Sequence, residues 1–262
     1  MAAGKLVTGR AKMNYACMII ASGLLVSTPT GASVSPDEQD FQMEYKILPL
    51  KSNTPVGVYR ISQFWQPTSK NWLQRGTISF NIKMPLNRYH YDYSDEVTYS
   101  GNKALSYSLK ENNNGTFLQV VGESDKEKQN LNLSLHTESG NKQKSISNTD
   151  FDYTTFTLRF PSPCSKHPEG ETQIARIMRP QTGEIDAVQI HYLGYQPVTL
   201  PGESIQRHDL CLIEITSNDK QTISQSWMNA EGYLVYAIYP RYRLLVHPQT
   251  SNSAIHSVEN AL

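Results

Sequence analysis

Thr77–Tyr99 reads TISFNIKMPLNRYHYDYSDEVTY, and its two halves decide the fold. In Thr77–Met84, Ile78, Phe80, Ile82 and Met84 fall on one side of an extended chain, and Thr77, Ser79, Asn81 and Lys83 on the other. Period two over this length marks a strand with one buried face. Pro85-Leu86-Asn87 makes a turn, and Arg88–Tyr99 alternates again. There Tyr89, Tyr91, Tyr93, Val97 and Tyr99 oppose Arg88, His90, Asp92, Ser94 and Glu96. Two such runs joined by a turn predict an antiparallel pair.

The same grammar continues in both directions. Ser100-Gly101-Asn102 breaks the second strand, and Leu105, Tyr107 and Leu109 resume the alternation. Asn112-Asn113-Asn114-Gly115 predicts a tight hairpin, because Asn and Gly tolerate the positive φ that such turns require. Phe117–Val121, a charged bend at Asp125–Lys128, and the alternating Leu131, Leu133 and Leu135 follow. Further on, Pro180–Gly183 opens a strand over Glu184–Gly194, Asn218–Lys220 joins two more, and Asn229–Gly232 joins the last pair. Turns this evenly spaced predict a meander. Residues 150–172, with Pro161, Pro163 and Pro168 around Cys164, read as a crossover loop with a short helix. Long strands with one apolar face must curl or pack on something. The expectation is an all-β, curved antiparallel meander, half-open or closed into a barrel, with a two-sheet sandwich as the alternative.

The first 32 residues carry an address. Lys5, Arg10 and Lys12 precede the uncharged apolar run Ala16–Val26, and Thr28–Ala32 supplies breakers and small residues. This predicts a cleavable secretory signal peptide over 1–32, too short in its apolar part to span a bilayer, whether translation starts at Met1 or Met13. A flexible joint at 33–41, one β domain over 42–247 and a loose polar tail over 248–262 complete the expected organisation. The expected location is the periplasm or outside the cell.

The leader holds three of the 24 basic side chains and none of the 24 acidic ones, so its removal leaves a net charge of −3. That balance argues against nucleic acid as a partner. No later stretch is apolar enough for a transmembrane helix. Cys164 and Cys211 survive processing, and an oxidising compartment permits a disulfide between them. The other reading of Cys211, within the strand-like HDLCLIEI, is a small buried apolar residue.

Several short motifs recur together: Pro55-Val56-Gly57-Val58-Tyr59-Arg60, Tyr89-His90-Tyr91 with Glu96, Tyr99 and Leu105, and the turn Asn114-Gly115. Gln181-Thr182-Gly183-Glu184 and Trp227, Asn229, Gly232 and Leu234 continue the set. Through these motifs residues 42–245 resemble an uncharacterised family of exported bacterial β proteins, a domain of unknown function. The resemblance implies a curved antiparallel sheet akin to the half-barrels of periplasmic lipoprotein carriers. It supplies no catalytic residues.

The chemistry-bearing residues weigh toward a non-enzyme. His90, His136, His167, His191, His208, His247 and His256 are scattered, and His90 with Asp92 offers only two ligands on one strand face, so no metal and no cofactor is expected. No Gly-x-Ser-x-Gly elbow and no local cysteine-nucleophile signature is present. Asp92, Asp95 and Glu96 read as an exposed strand end, with nothing to suggest the burial that raises a carboxyl pKa. The aromatic residues Trp65, Tyr89, Tyr91, Tyr93, Tyr99, Tyr107, Trp227 and Tyr236 form either the core or the lining of a ligand site on a concave face. Three functions follow from this. The first is binding or carriage of an apolar small molecule or lipid within the sheet. The second is interaction with an envelope protein, or a structural role, which calls for a solid core and an exposed apolar patch or sheet edge. The third is hydrolysis of a cell-envelope polymer with Asp92 or Glu96 as acid or base.

Overall fold

A computed structural model describes residues 41–83, 88–100, 103–125, 127–154, 167–219, 221–230 and 232–247. The leader, the joint before Phe41, Cys164 with most of the proposed crossover loop, the turns at 85–87 and 101–102, and the tail lie outside the described residues.

The first half is a meander of eight strands. These are β1 (Phe41–Pro49), β2 (Gly57–Gln66), β3 (Asn71–Lys83), β4 (Arg88–Ser100), β5 (Lys103–Asn113), β6 (Thr116–Asp125), β7 (Asn130–Thr137) and β8 (Gly140–Ser147). The second half begins with the two-residue β9 (Tyr153–Thr154), then β10 (Thr172–Arg179) and β11 (Glu184–Tyr195). A small ribbon follows, β12 (Val198–Thr199) with β13 (Gln206–Arg207). Last come β14 (Cys211–Ser217), β15 (Thr222–Met228), β16 (Leu234–Ile238) and β17 (Tyr242–Val246).

Fifteen strands form one sheet in the order β8-β7-β6-β5-β4-β3-β2-β1-β17-β16-β15-β14-β11-β10-β9. Every neighbour is antiparallel except β9 beside β10. The meander is therefore as expected, the two-sheet sandwich is not formed, and no helix occurs among the described residues. The expected turn chemistry is also found. Asn114 and Gly115 sit at φ +52° and +93°, both left-handed, the type I′ geometry whose twist matches that of the flanking strands. Asp125 Oδ1 accepts the amide hydrogens of Glu127 and Lys128 at 3.1 Å each, which shapes the charged bend.

The sheet curls until its two ends meet. The β10–β11 turn, Pro180–Gly183, lies against the far end of the sheet. Lys144 Nζ on β8 donates to the Gly183 carbonyl at 2.5 Å, and the Tyr107 hydroxyl on β5 donates to that of Pro180 at 3.3 Å. No ladder of strand pairing joins β8 to β9 among the described residues, so the structure is barrel-like and open. One large apolar cluster fills the inner face, running from Met43 and Tyr45 through Val97 and Leu133 to Ile213 and Leu244. A second, smaller cluster of Leu212, Trp227, Val235 and Tyr236 lies on the outer face of β14–β16. Val198, Leu200 and Leu210, from and around the ribbon, cover it.

Cys211 is buried and disulfide-bonded. We expect Cys211→Ser to lower unfolding free energy by about 2–4 kcal/mol. Urea denaturation of the variant beside the reduced wild type checks this, and equal midpoints for variant and oxidised wild type would remove any stabilising role for the bond.

Candidate functional site

Strand register builds the inner face row by row. Across β2, β3, β4 and β5 the rows read Gly57–Phe80–Tyr91–Asn113, Tyr59–Ile78–Tyr93–Glu111, Ile61–Gly76–Asp95–Leu109 and Gln63–Gln74–Val97–Tyr107. Tyr45 on β1 extends the second row opposite Tyr59, with ring centroids 5.7 Å apart. Three of these rows use a glycine where the neighbouring side chain must lie down. Phe80 crowds the place of a Cβ on Gly57, the Asp95 carboxylate that on Gly76, and the Tyr107 ring that on Gly122 directly across β6. Glycine set against a large neighbouring side chain is thus a packing device of a tightly curled sheet.

Of the aromatic candidates, Tyr91, Tyr93, Tyr99 and Tyr107 are buried inside, and Trp65 and Tyr89 pack at the margin of the same cluster. Trp227 and Tyr236 are elsewhere: their rings pair at 5.4 Å in the outer cluster beneath the ribbon, so they do not share a concave face with the other six. The inner tyrosines are joined by Tyr45, Tyr59, Tyr239 and Tyr242, which are not among the aromatic candidates that the sequence offers. Burial raises the hydroxyl pKa of Tyr45, Tyr93 and Tyr242 well above the usual value.

The three candidate carboxylates divide between the faces of β4. Asp92 is half-exposed and bonded to His90 Nε2, while His90 Nδ1 meets Asn81 Oδ1 at 2.8 Å. Both ring nitrogens are thus engaged by neighbouring side chains, and among the described residues only one carboxylate stands beside this His. Glu96 pairs with Arg75 at 2.8 Å on the same outer face. Asp95 overturns the exposed-end expectation: it is 8 % exposed and points inward. Burial lifts its carboxyl from the usual 3.8 to about 7, against the opposing pull of the Tyr93 hydroxyl and the Gly76 amide hydrogen. The sequence held the signal, since Asp95 shares the parity of Tyr93 and Val97. Glu111, facing Tyr93 from β5, is raised by the same cause and partly held down by the Tyr91 hydroxyl. A pair of carboxylates flanking one substrate is not formed by these residues: the sheet stands between Asp95 and the other two, and Asp92 and Glu96, four residues apart along one strand, lie about 13 Å from each other, beyond the roughly 5–9.5 Å of such a pair.

Asp95 belongs to a buried polar patch that the sequence reading missed. Gln63 and Gln74, opposite each other, are 1 % exposed, and Gln63 Oε1, Gln74 Nε2 and Asp95 Oδ1 have no hydrogen-bond partner among the described residues. Among those residues no group of three or more His, Cys, Asp or Glu is arranged to hold a metal ion, and no helix is long and apolar enough to cross a membrane.

The comparisons with known proteins agree with this architecture. A family model described as a domain of unknown function, DUF6134, matches residues 45–241. No curated protein matches the chain significantly. Among solved structures, the chain is similar to a β-barrel-like protein of another domain of unknown function, DUF1849, from Brucella abortus. The identity is 7 %, the alignment covers 79 % of this chain and 94 % of that one, and the TM-score is 0.51. At that identity the likeness concerns the fold alone. The matched stretch runs from the first inner tyrosine, Tyr45, to the turn before the last strand, and on that footing the chain belongs to the DUF6134 family.

Proposed function

We propose that this protein is an exported, non-enzymatic component of the cell envelope that acts through its outer surface on a protein partner. The observation that carries the reading is the filled interior. Among the described residues the inner side chains pack into one continuous apolar cluster, with Val97, Tyr99, Val120, Leu131, Met178 and Ile213 fully buried, so an acyl chain entering there would displace packed side chains. Apolar side chains are offered to solvent instead: Ile174 is 76 % and Ile205 75 % exposed. The N-terminal pattern over 1–32 supports export, as does the disulfide at Cys211, which suits an oxidising compartment.

Native mass spectrometry of protein taken from the exported fraction without detergent is the test. A bare mass in repeated preparations is expected, together with protein adducts when a photo-crosslinking residue replaces Ile174 or Ile205. A reproducible extra mass that extracts as lipid would overturn the reading in favour of a carrier.

A further inference from the structure

We propose that Gln63, Gln74 and Asp95 form a hydrated proton-binding site inside the sheet, with one trapped water joining their three unpaired polar atoms. This goes beyond the surface reading above and does not depend on it. The three side chains come from adjacent strands β2, β3 and β4, and all are at least nine-tenths buried. Gln63 and Gln74 are directly opposed, and Asp95 lies across from Gly76, the next inward residue of β3. Gly76 contributes no side chain, and Asp95 Oδ2 occupies the space a Cβ would take, 2.6 Å from its position. That oxygen side of the carboxyl is engaged, while Oδ1 is not.

With the carboxyl ionised, the unpaired set is one donor, Gln74 Nε2, and two acceptors, Gln63 Oε1 and Asp95 Oδ1. With the proton held on Oδ1, the oxygen not already accepting from Tyr93 and Gly76, it is two donors and one acceptor. A water meets either set by turning, accepting one bond and donating two in the first case and accepting two and donating one in the second, and buried waters typically make about three bonds. An alkali cation needs oxygens only and would be opposed by the Gln74 amide hydrogens. An apolar group would leave all three atoms unsatisfied.

The proton follows from what faces the carboxyl. From β4 it is the Tyr93 hydroxyl, and from β3 the Gly76 amide. Tyr59 on β2 and Tyr91 on β4 act on Tyr93 in turn, and Glu111 on β5 is held by Tyr91. Leu109 is the residue directly across on β5, and Ile61 lies beyond Gly76 on β2. None of the groups acting on Asp95 is cationic, so burial prevails and the carboxyl keeps its proton to about pH 7.

A high-resolution crystal structure combined with carboxyl-detected NMR titration tests the site, Asp95→Asn identifying the Asp95 signal. The expected results are solvent density within hydrogen-bond reach of all three atoms and an Asp95 midpoint close to neutral. Gln74→Leu should expel the water and move that midpoint upward, with Gln63→Met as the second variant should the first not fold. A dry contact between the two amides, or an Asp95 midpoint unmoved by loss of either glutamine, overturns the proposal.

Discussion

Gly183→Ala lowers the unfolding free energy by about 2–4 kcal/mol, the sum of a left-handed backbone penalty and overpacking. Gly183 has φ +62°, and a Cβ there would lie 2.6 Å from Leu133 Cδ1 and 2.9 Å from Ile146 Cδ1. Those methyls belong to side chains that are 1 % and 5 % exposed, so they have little space into which to retreat. The turn is also braced from its own side, where Arg179 pairs with Glu184 at 2.6 Å and with Asp186 at 2.7 Å. Gly202→Ala is the control, since that glycine has φ +85° and nothing within 4 Å of the added Cβ. Chemical denaturation should show a larger loss at 183 than at 202. Equal losses would mean that the turn does not press on β7 and β8, and the account of how the sheet ends meet would be wrong.

Stability is expected to fall as pH rises from about 4 to about 7, by about 4 kcal/mol from Asp95 alone. The sign follows from the folded carboxyl at about 7 against the ordinary 3.8. Below both values each state holds the proton and nothing is lost. Between them the unfolded chain releases it while the folded chain keeps it, so unfolding gains. Above about 7 both states are ionised and the loss is complete. Glu111, raised in the same direction, adds a smaller slope. Asp152 works oppositely, because Arg176 lowers its pKa, but its window lies below the ordinary carboxylate range. Asp95→Asn has no proton to exchange at that position, so its denaturation midpoint should keep only the smaller Glu111 slope from pH 5 to 8 and exceed that of wild type at pH 8. A wild-type midpoint constant over that interval would sink the assignment.

The strands were readable because one face of each is buried and the other is wet. Thr77–Lys83 and Arg88–Ser100 show this from end to end. What alternation does not disclose is which face becomes the interior. Trp227 was grouped with Tyr91 as an aromatic on a strand, yet the ribbon that buries it has two residues per strand and no pattern to read. A register shift between Trp227 and Met228 further breaks the parity there. Asp95 departs from expectation for another reason: its charge suggests solvent, while its parity with Tyr93 and Val97 places it inside. Gln63 and Gln74 left no trace, because a buried amide looks like any surface amide until its strand is placed.

The junction of β1 with β17 has a kinetic consequence. Each arm, β1 to β8 and β10 to β17, is built mostly from neighbours in sequence and can zip from local hairpins. The seam is different: Tyr45 pairs with Val246 and Pro49 with Tyr242, contacts that close nearly the whole length of the domain. Loop closure on that scale is slow, and long-range pairing sets the pace of folding. Each arm would therefore mature as a separate half, with β1 an unpaired edge, until the last strand emerges and docks. A chain ending before Tyr242 would expose that edge permanently, and aggregation through β1, rather than simple loss of a terminal strand, is its natural fate.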